Sequence, residues 1–317
     1  MVLSKMEMQS GPLLADVALA PMPFIVGTGR CGTTLLRMML DAHPDLAIPP
    51  ETHFIPALAR AFQDPSRRPQ DFLELLHSFH TWQDFGIEVG ALREALGAPG
   101  FSLTHALRTF YRLYAEKFGK ARWGDKTPMY FADMSVVQGV MPEARFIHLI
   151  RDGRDVALSI KDLWFGPNSI QEVAGWWVSR INQARSQVHE LHWYLEVRYE
   201  DLVRDTENVL QRICAFIDVP WDPIMLDYHK RAPERLAELR RDRPWPDGRI
   251  MRSEDRLAMF SLVLRPPRVD RLERWRTEMA PTDREWFEGV AGAMLHELGY
   301  AIDSPGGPRR GSSDEDG

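Results

Sequence analysis

Positions 27–34 read Gly-Thr-Gly-Arg-Cys-Gly-Thr-Thr and gather residue types that hold an oxyanion. Gly27, Gly29 and Gly32 let backbone amides curl around a negative group, and the hydroxyls of Thr33 and Thr34 add donors. A helix opening at Thr33 directs its N-terminal amides and its dipole at the same point. The spacing Gly27-x4-Gly32 outlines a triphosphate-binding loop, but such a loop requires Lys directly after its second glycine. Thr33 stands there instead, and the cation lies inside the loop as Arg30. A second cation, Arg151, follows the run Arg145-Phe-Ile-His-Leu-Ile150, where a triphosphate site would place a metal-binding Asp. An Arg that ends a buried strand needs an anionic partner, and a phosphate supplies one. The pattern predicts an oxyanion site without the lysine and magnesium of triphosphate chemistry.

Cys31 offers a competing chemistry. A thiol at a helix N-terminus has a depressed pKa, and Cys31-x5-Arg37 matches by count the loop of a cysteine-dependent phosphatase. The intervening Gly-Thr-Thr-Leu-Leu contains two leucines and reads as helix, which turns Arg37 away from the thiol.

These residues need elements to place them. Phe24-Ile-Val26, between two prolines and Gly27, reads as a buried strand, and Thr33 to Ala42 reads as an amphipathic helix ended by His43-Pro44. Apolar residues recur at helical spacing over Thr52–Gln63, Asp71–His80 and Thr104–Phe118, which predicts a helical insertion over about 52–120. Arg145–Ile150 is a second strand, with a helix from Asp152 to about Leu163. A longer helix from Ile170 to Leu191 and a third strand from Trp193 to Tyr199 follow. Asp205 or Thr206 caps a helix reaching Asp218, and Thr282-Asp-Arg-Glu285 has capping-box spacing before a last helix ending near Gly299. Strands alternating with helices predict a parallel α/β sheet, whose ligands sit at the carboxyl ends of the strands. The expected organisation is an N-terminal segment, 1–22, one α/β domain, 23–303, and a Gly/Ser/Asp tail, 304–317, too poor in apolar residues to fold.

Composition excludes other classes. The chain has 317 residues, 44% hydrophobic and 26% charged, as an ordinary globular protein does. A net charge of −6 argues against a generally basic nucleic-acid binder, and Cys31 and Cys214 make neither a disulfide framework nor a zinc pattern. No window approaches the ~20 apolar residues of a membrane span, so a cytoplasmic location without stable membrane insertion is expected. Arginine outnumbers lysine 33 to 6, which suits bidentate oxyanion recognition and equally reflects a GC-rich genome.

The ordered motifs resemble those of the sulfotransferases that use 3′-phosphoadenosine-5′-phosphosulfate. Pro23-Phe-Ile-Val-Gly-Thr-Gly-Arg-Cys-Gly-Thr-Thr-Leu-Leu36 is similar to their 5′-phosphosulfate loop, with Cys31 where Ser is more usual. Arg151-Asp-Gly-Arg-Asp-Val-Ala-Leu-Ser159 resembles their 3′-phosphate motif, and Tyr199-Glu-Asp-Leu202 their tyrosine-containing segment. The likeness is strongest over Arg37–Asp45 and Glu51-Thr-His-Phe-Ile-Pro56, which resemble the tyrosylprotein sulfotransferases and their bacterial relatives. It fades in the last third of the chain.

The resemblance implies a P-loop-like fold and sulfuryl transfer to an acceptor hydroxyl or amine, with no metal required. It implies Glu51 as general base, and Lys126, in Trp123-Gly-Asp-Lys-Thr-Pro128, beside Arg30 as the charge on the leaving oxygen. Gly29, Arg30, Cys31, Gly32, Thr33, Thr34, Arg151, Ser159 and Tyr199 are its implied cofactor residues. The acceptor is a small molecule or a peptide. From the residues alone, Glu51 also reads as a helix cap, His53 as an alternative base, Lys126 as a solvated lysine and Ser159 as a packing residue. Trp123 or Trp164 would line an acceptor pocket, with the Trp pairs as core. Arg249, Arg252, Arg268, Arg271 and Arg274 are equivalent candidates for covering the cofactor. The alternatives are an ATP-dependent kinase with a degenerate loop and a nucleotide-binding module without activity.

Overall fold

The computed structural model describes residues 20–97, 101–160, 166–167, 169–244 and 248–302. The expectations for 1–19, for the tail 304–317, for the helix end at Leu163 and for Trp164 lie outside the described residues.

Six strands precede residue 199: β1 (Met22–Gly27), β2 (Leu46–Ala47), β3 (Arg122–Trp123), β4 (Asp125–Lys126), β5 (Ala144–Ile150) and β6 (Tyr194–Arg198). The main sheet has the order β4-β1-β5-β6 with every pairing parallel, and β2 pairs with β3 beside it. β1 lies inside the sheet and is buried along its whole length, which is why it reads as an unbroken apolar run. Its register sets Gly27 opposite Leu149, so the loop after β1 and Arg151 after β5 leave the sheet at one level. Ile150 pairs with Arg198, which brings Tyr199 beside Arg151, and Ile25 pairs with Lys126 on the other flank. One end of the sheet thus collects Lys126, the glycine loop, Arg151 and Tyr199 from four strands that are far apart in sequence.

Helix α1 (Thr33–Asp41) leaves the loop with Leu36, Met39 and Leu40 buried. The insertion holds α2 (Ile55–Ala61), α3 (Pro69–Ser78), α4 (Val89–Leu96) and α5 (Leu103–Glu116). Edge-on aromatic pairs hold it together, with the Phe110 ring 5.1 Å from Phe54 and 5.0 Å from Phe85, in one core cluster with Phe24 and Phe146 of the sheet. Further on, α6 (Met134–Val140) precedes β5, α7 (Gly153–Ile160) follows Arg151, and α8 (Ile170–Arg185) packs against the helix Pro281–Glu297. Arg154, fully buried, fastens this face: it bonds Asp152, Glu288 at 2.6 Å and the Ala301 carbonyl.

Several expected boundaries move. The helix expected from Thr52 begins at Ile55, because the Thr52 side chain is bound in a buried network and His53 has left-handed backbone, φ 60°. The expected capping box at Thr282–Glu285 is absent: the helix opens at Pro281, whose fixed φ suits a first turn, and Ala280 precedes it. The helix from Ile170 stops at Arg185 and the chain continues into a short 3₁₀ turn, Val188–Glu190. β4 and α4 go unforeseen, the first because two charged residues carry no apolar signal.

Gly32 shows how tightly the loop is built. Its φ is 98°, and a Cβ there would stand 2.4 Å from the Tyr199 ring. Gly29 has ordinary backbone, and a Cβ would meet only Trp176 at 3.9 Å. Gly32→Ala is expected to destabilise the protein by about 1–3 kcal/mol in urea unfolding, through overpacking and backbone strain, whereas Gly29→Ala leaves stability nearly unchanged.

Candidate functional site

A cavity of about 890 Å³ opens at the carboxyl ends of the strands. That is large for a small-molecule site, and it is lined by Gly29, Arg30, Gly32, Thr33 and Thr34 from the loop. Gly32 occupies the N-cap of α1 without a side-chain cap bond, so the first amides of the helix have no intrahelical partner.

Arg30 and Arg151 are forced together at this end. Arg30 has left-handed backbone, φ 67°, and its carbonyl accepts a long bond from Arg151 Nη1 at 3.5 Å. Burial and then the neighbouring Arg151 hold the Arg30 guanidinium below its ordinary pKa. Arg151 is fixed by Asp155 at 3.0 Å and lies over the Tyr199 ring at 4.8 Å. The Nε atoms of both arginines are buried without a partner. Two adjacent guanidinium groups with unused donors, lining one cavity with the first turn of α1, can form a cradle for phosphate or sulfate oxygens.

Across the cavity stands a carboxylate clamped by two bases. Glu51 Oε1 accepts from Lys126 Nζ at 2.6 Å, and Oε2 lies 2.9 Å from His53 Nε2. Burial pushes the Glu51 carboxyl up, but Lys126 and His53 together outweigh it and hold the group well below its ordinary value. Lys126 is itself held below its ordinary value, because burial outweighs the attraction of Glu51. The segment is positioned from behind. Thr52 Oγ1 donates to buried Asp125 Oδ2 at 2.8 Å and contacts the Tyr130 hydroxyl, while Tyr111 donates to the same Asp125 oxygen at 2.7 Å. The Thr52 amide donates to Thr127 Oγ1 at 2.9 Å. Asp125 and Thr127 flank Lys126, so a single network sets both members of the Glu51–Lys126 pair.

Most of the expected residues meet here. Glu51 does not cap α2, whose N-cap is Phe54, and Lys126 is buried rather than solvated. Ser159 is half-buried on α7, and the cavity wall passes through Ile160 instead. Cys31 is fully buried beneath the loop and does not line the cavity, which its neighbours Arg30 and Gly32 do. Burial pushes its thiol up to about 11, against the lowering effect of Thr28. A thiol of that basicity is no nucleophile at neutral pH, which removes the phosphatase reading. Trp123 packs in the core beside the insertion rather than in the cavity. Of the five expected C-terminal arginines, Arg268 and Arg271 border the cavity, whereas Arg249, Arg252, paired with Asp242, and Arg274, paired with Glu278, do not; Arg243, Arg256 and Arg265 of the same stretch line it unforeseen. Trp176, Arg180, Tyr228 and Phe260 also line the site and were not foreseen as site residues. Trp176 and Arg180 share one helical face at i,i+4 spacing, a signal the sequence does carry.

Two outcomes follow from these pKa directions. Cys31 should resist thiol reagents in the native protein at pH 7.5 and react only after unfolding, with Cys31→Ser keeping full activity. Glu51 has a folded pKa below the 4.5 of an unperturbed glutamate. Its pairing therefore stabilises the fold above that pH and is lost as pH falls through the lowered value. The destabilisation caused by Glu51→Gln should thus be largest near pH 7 and shrink below pH 4.5, as read by urea unfolding across pH.

Comparison with known proteins agrees with this geometry. Residues 21–223 match the model of the sulfotransferase family. Protein-tyrosine sulfotransferase 1 of Danio rerio is 27% identical over 288 residues, covering 88% of this chain and 72% of that protein. Nodulation protein NoeE of Sinorhizobium fredii is 28% identical over 311 residues, covering 89% of this chain and 67% of that one. Among solved structures, the sulfotransferase domain from the curacin biosynthetic pathway superposes with a TM-score of 0.58 at 19% identity. That match covers 90% of this chain and 99% of that one. Because the matched span contains the phosphate loop, the Glu51–Lys126 pair, Arg151 and Tyr199, the chain belongs to the sulfotransferase family and is a transferase of sulfuryl groups.

Proposed function

We propose that the protein moves a sulfuryl group from 3′-phosphoadenosine-5′-phosphosulfate to an acceptor hydroxyl, with Glu51 as general base. The observation that carries this reading is the Glu51 carboxylate, 2.6 Å from Lys126 and facing the Arg30–Arg151 cradle across one cavity. The orphaned Nε atoms of Arg30 and Arg151 and the uncapped amides of α1 fit a donor that carries phosphate groups. When bound, that donor supplies an electrophilic sulfuryl group on a phosphate leaving group.

The residues divide the work by position. Arg30 and the amides from Gly32 to Thr34 hold the end from which the group leaves. Arg151, with Arg271 beside it and Arg268 on the same stretch, holds the second phosphate, and Tyr199 backs Arg151 and closes over Gly32. Lys126 places positive charge where negative charge grows on the leaving oxygen. Glu51 takes the proton of the acceptor hydroxyl. The Lys126 charge is one of the influences that hold the Glu51 pKa down. Turning Lys126 toward a phosphate oxygen frees the carboxylate to become a stronger base when the donor is in place. His53 keeps Glu51 oriented through Oε2.

The acceptor side has an apolar mouth that includes Met129, Leu262 and Leu264, which suits an aromatic hydroxyl. A protein tyrosine, the acceptor in the names of several relatives, belongs to that class. The absence of a loop lysine and the Arg at the end of β5 favour this donor over magnesium-ATP.

Adenosine 3′,5′-bisphosphate, the product expected on this reading, is predicted to raise the melting temperature by several degrees at ~100 times its Kd, where binding adds about 2.7 kcal/mol. Magnesium-ATP should give no comparable shift. Glu51→Gln should keep that shift and lose roughly 10²–10⁴-fold in kcat. Undiminished turnover in this variant would remove Glu51 from the role.

A further inference from the structure

Arg180 lines the cavity on aromatic rings rather than beside an acid, unlike several of the other cations there. Arg37 pairs with Glu238, Arg256 with Asp84 at 2.5 Å, and Arg151 with Asp155. Lys126 has Glu51, and Arg30 lies against Arg151 at the loop end of the cavity. Arg180 has no acidic partner among the described residues. Its guanidinium lies over the Trp176 ring at 4.1 Å and near the Phe131 ring at 5.1 Å. Its hydrogen bond is to the thioether of Met129, Nη1 to Sδ at 3.2 Å, and sulfur is a weak acceptor. A guanidinium carries five N–H donors. Set on an aromatic platform with its charge uncompensated, it is a preorganised receptor for one oxyanion.

Its place in the cavity points to the acceptor. Met129 stands three residues after Lys126, and Trp176 is the neighbour that a Cβ on Gly29 would meet. Arg180 therefore borders the transfer point, while the phosphate cradle is already formed by Arg30, Arg151 and the loop. Met129 contributes the apolar contact beside it and is 42% exposed.

We infer that Arg180 on Trp176 forms a specificity subsite for a phenolic acceptor that carries its own carboxylate or sulfonate. The inference rests on the proposed sulfotransfer, because it takes the loop end of the cavity for the donor. Burial lowers the guanidinium pKa only to about 10, so the group remains charged at neutral pH and the subsite is always cationic. A singly charged acceptor group matches the one charge of the Arg180 guanidinium, and the aromatic part of the acceptor would lie along Met129.

The test is calorimetric binding of three phenols to the protein saturated with adenosine 3′,5′-bisphosphate: 4-hydroxyphenylpropionate, 4-hydroxybenzenesulfonate and p-cresol. The anionic phenols are expected to bind roughly 10- to 100-fold more tightly than p-cresol, the range of a hydrogen-bonded charge pair. Arg180→Ala should abolish that preference and leave p-cresol unchanged, and Arg180→Lys should restore part of it. Melting temperatures of the variants check their folding, and Trp176→Leu, which removes the platform but keeps the charge, should show an intermediate preference. Equal binding of the three phenols to the wild type, or a preference that survives in Arg180→Ala, overturns the subsite. If Arg180→Ala instead weakens the bisphosphate itself, Arg180 belongs to the donor site and the inference fails while the sulfotransfer reading stands. Failure of the wild type to bind the bisphosphate would be the failure of that reading.

Discussion

Two guanidinium groups of like charge sit together at the end of a parallel sheet, and much of the architecture serves to hold them there. Arg30 rests on left-handed backbone, and Arg151 is fixed by Asp155 and the face of Tyr199. The register of β1 on β5 brings the two arginines together, since both loops leave the sheet at one height. Desolvated repulsion of this kind costs free energy in the unliganded protein and becomes attraction when a multiply charged anion arrives. The Gly32–Tyr199 packing, the uncapped start of α1 and the C-terminal arginines all gain their purpose from that arrangement.

The opposite wall follows a different logic. Glu51 and Lys126 lie 75 positions apart in sequence, yet one buried network positions both. Thr52 is the joint: its hydroxyl reaches Asp125 and Tyr130, its amide reaches Thr127, and its carbonyl accepts from Thr81. Buried polar groups that are mutually bonded are costly to disturb, so the network gives the Glu51 carboxylate a rigid mount. The Phe54 cluster behind it extends the mount into the helical insertion. The insertion is thus more than a cover over the sheet, because it fixes the backbone on which Glu51 and His53 stand.

The cavity closes through the C-terminal third, where the family resemblance is faintest. Tyr228 donates to the Arg265 carbonyl at 2.6 Å, and Arg151 Nη2 donates to the Arg271 carbonyl at 3.3 Å. These bonds bring Arg268 and Arg271 to the cavity from a stretch whose charges are otherwise mixed and mutually paired. A surface rich in both signs looks uniform along the chain. Which arginines face inward depends on the few backbone contacts that fold the stretch back.

The local features were legible in the residues themselves. A strand, a glycine loop bearing Arg30, a helix from Thr33 and an Arg closing a second strand are each fixed by short-range sterics and apolar patterning. The motif likeness added Glu51, Lys126 and Tyr199. The partnerships came from tertiary structure: His53 on Glu51, Thr52 on Asp125, Arg30 against Arg151, and Arg180 on Trp176 without an acid. Cys31 shows the difference most sharply, for its position at a helix start implies a reactive thiol, whereas burial makes it inert. Sequence spacing determines which face of an element a side chain takes; burial and the neighbours supplied by distant strands decide its charge state and its partner.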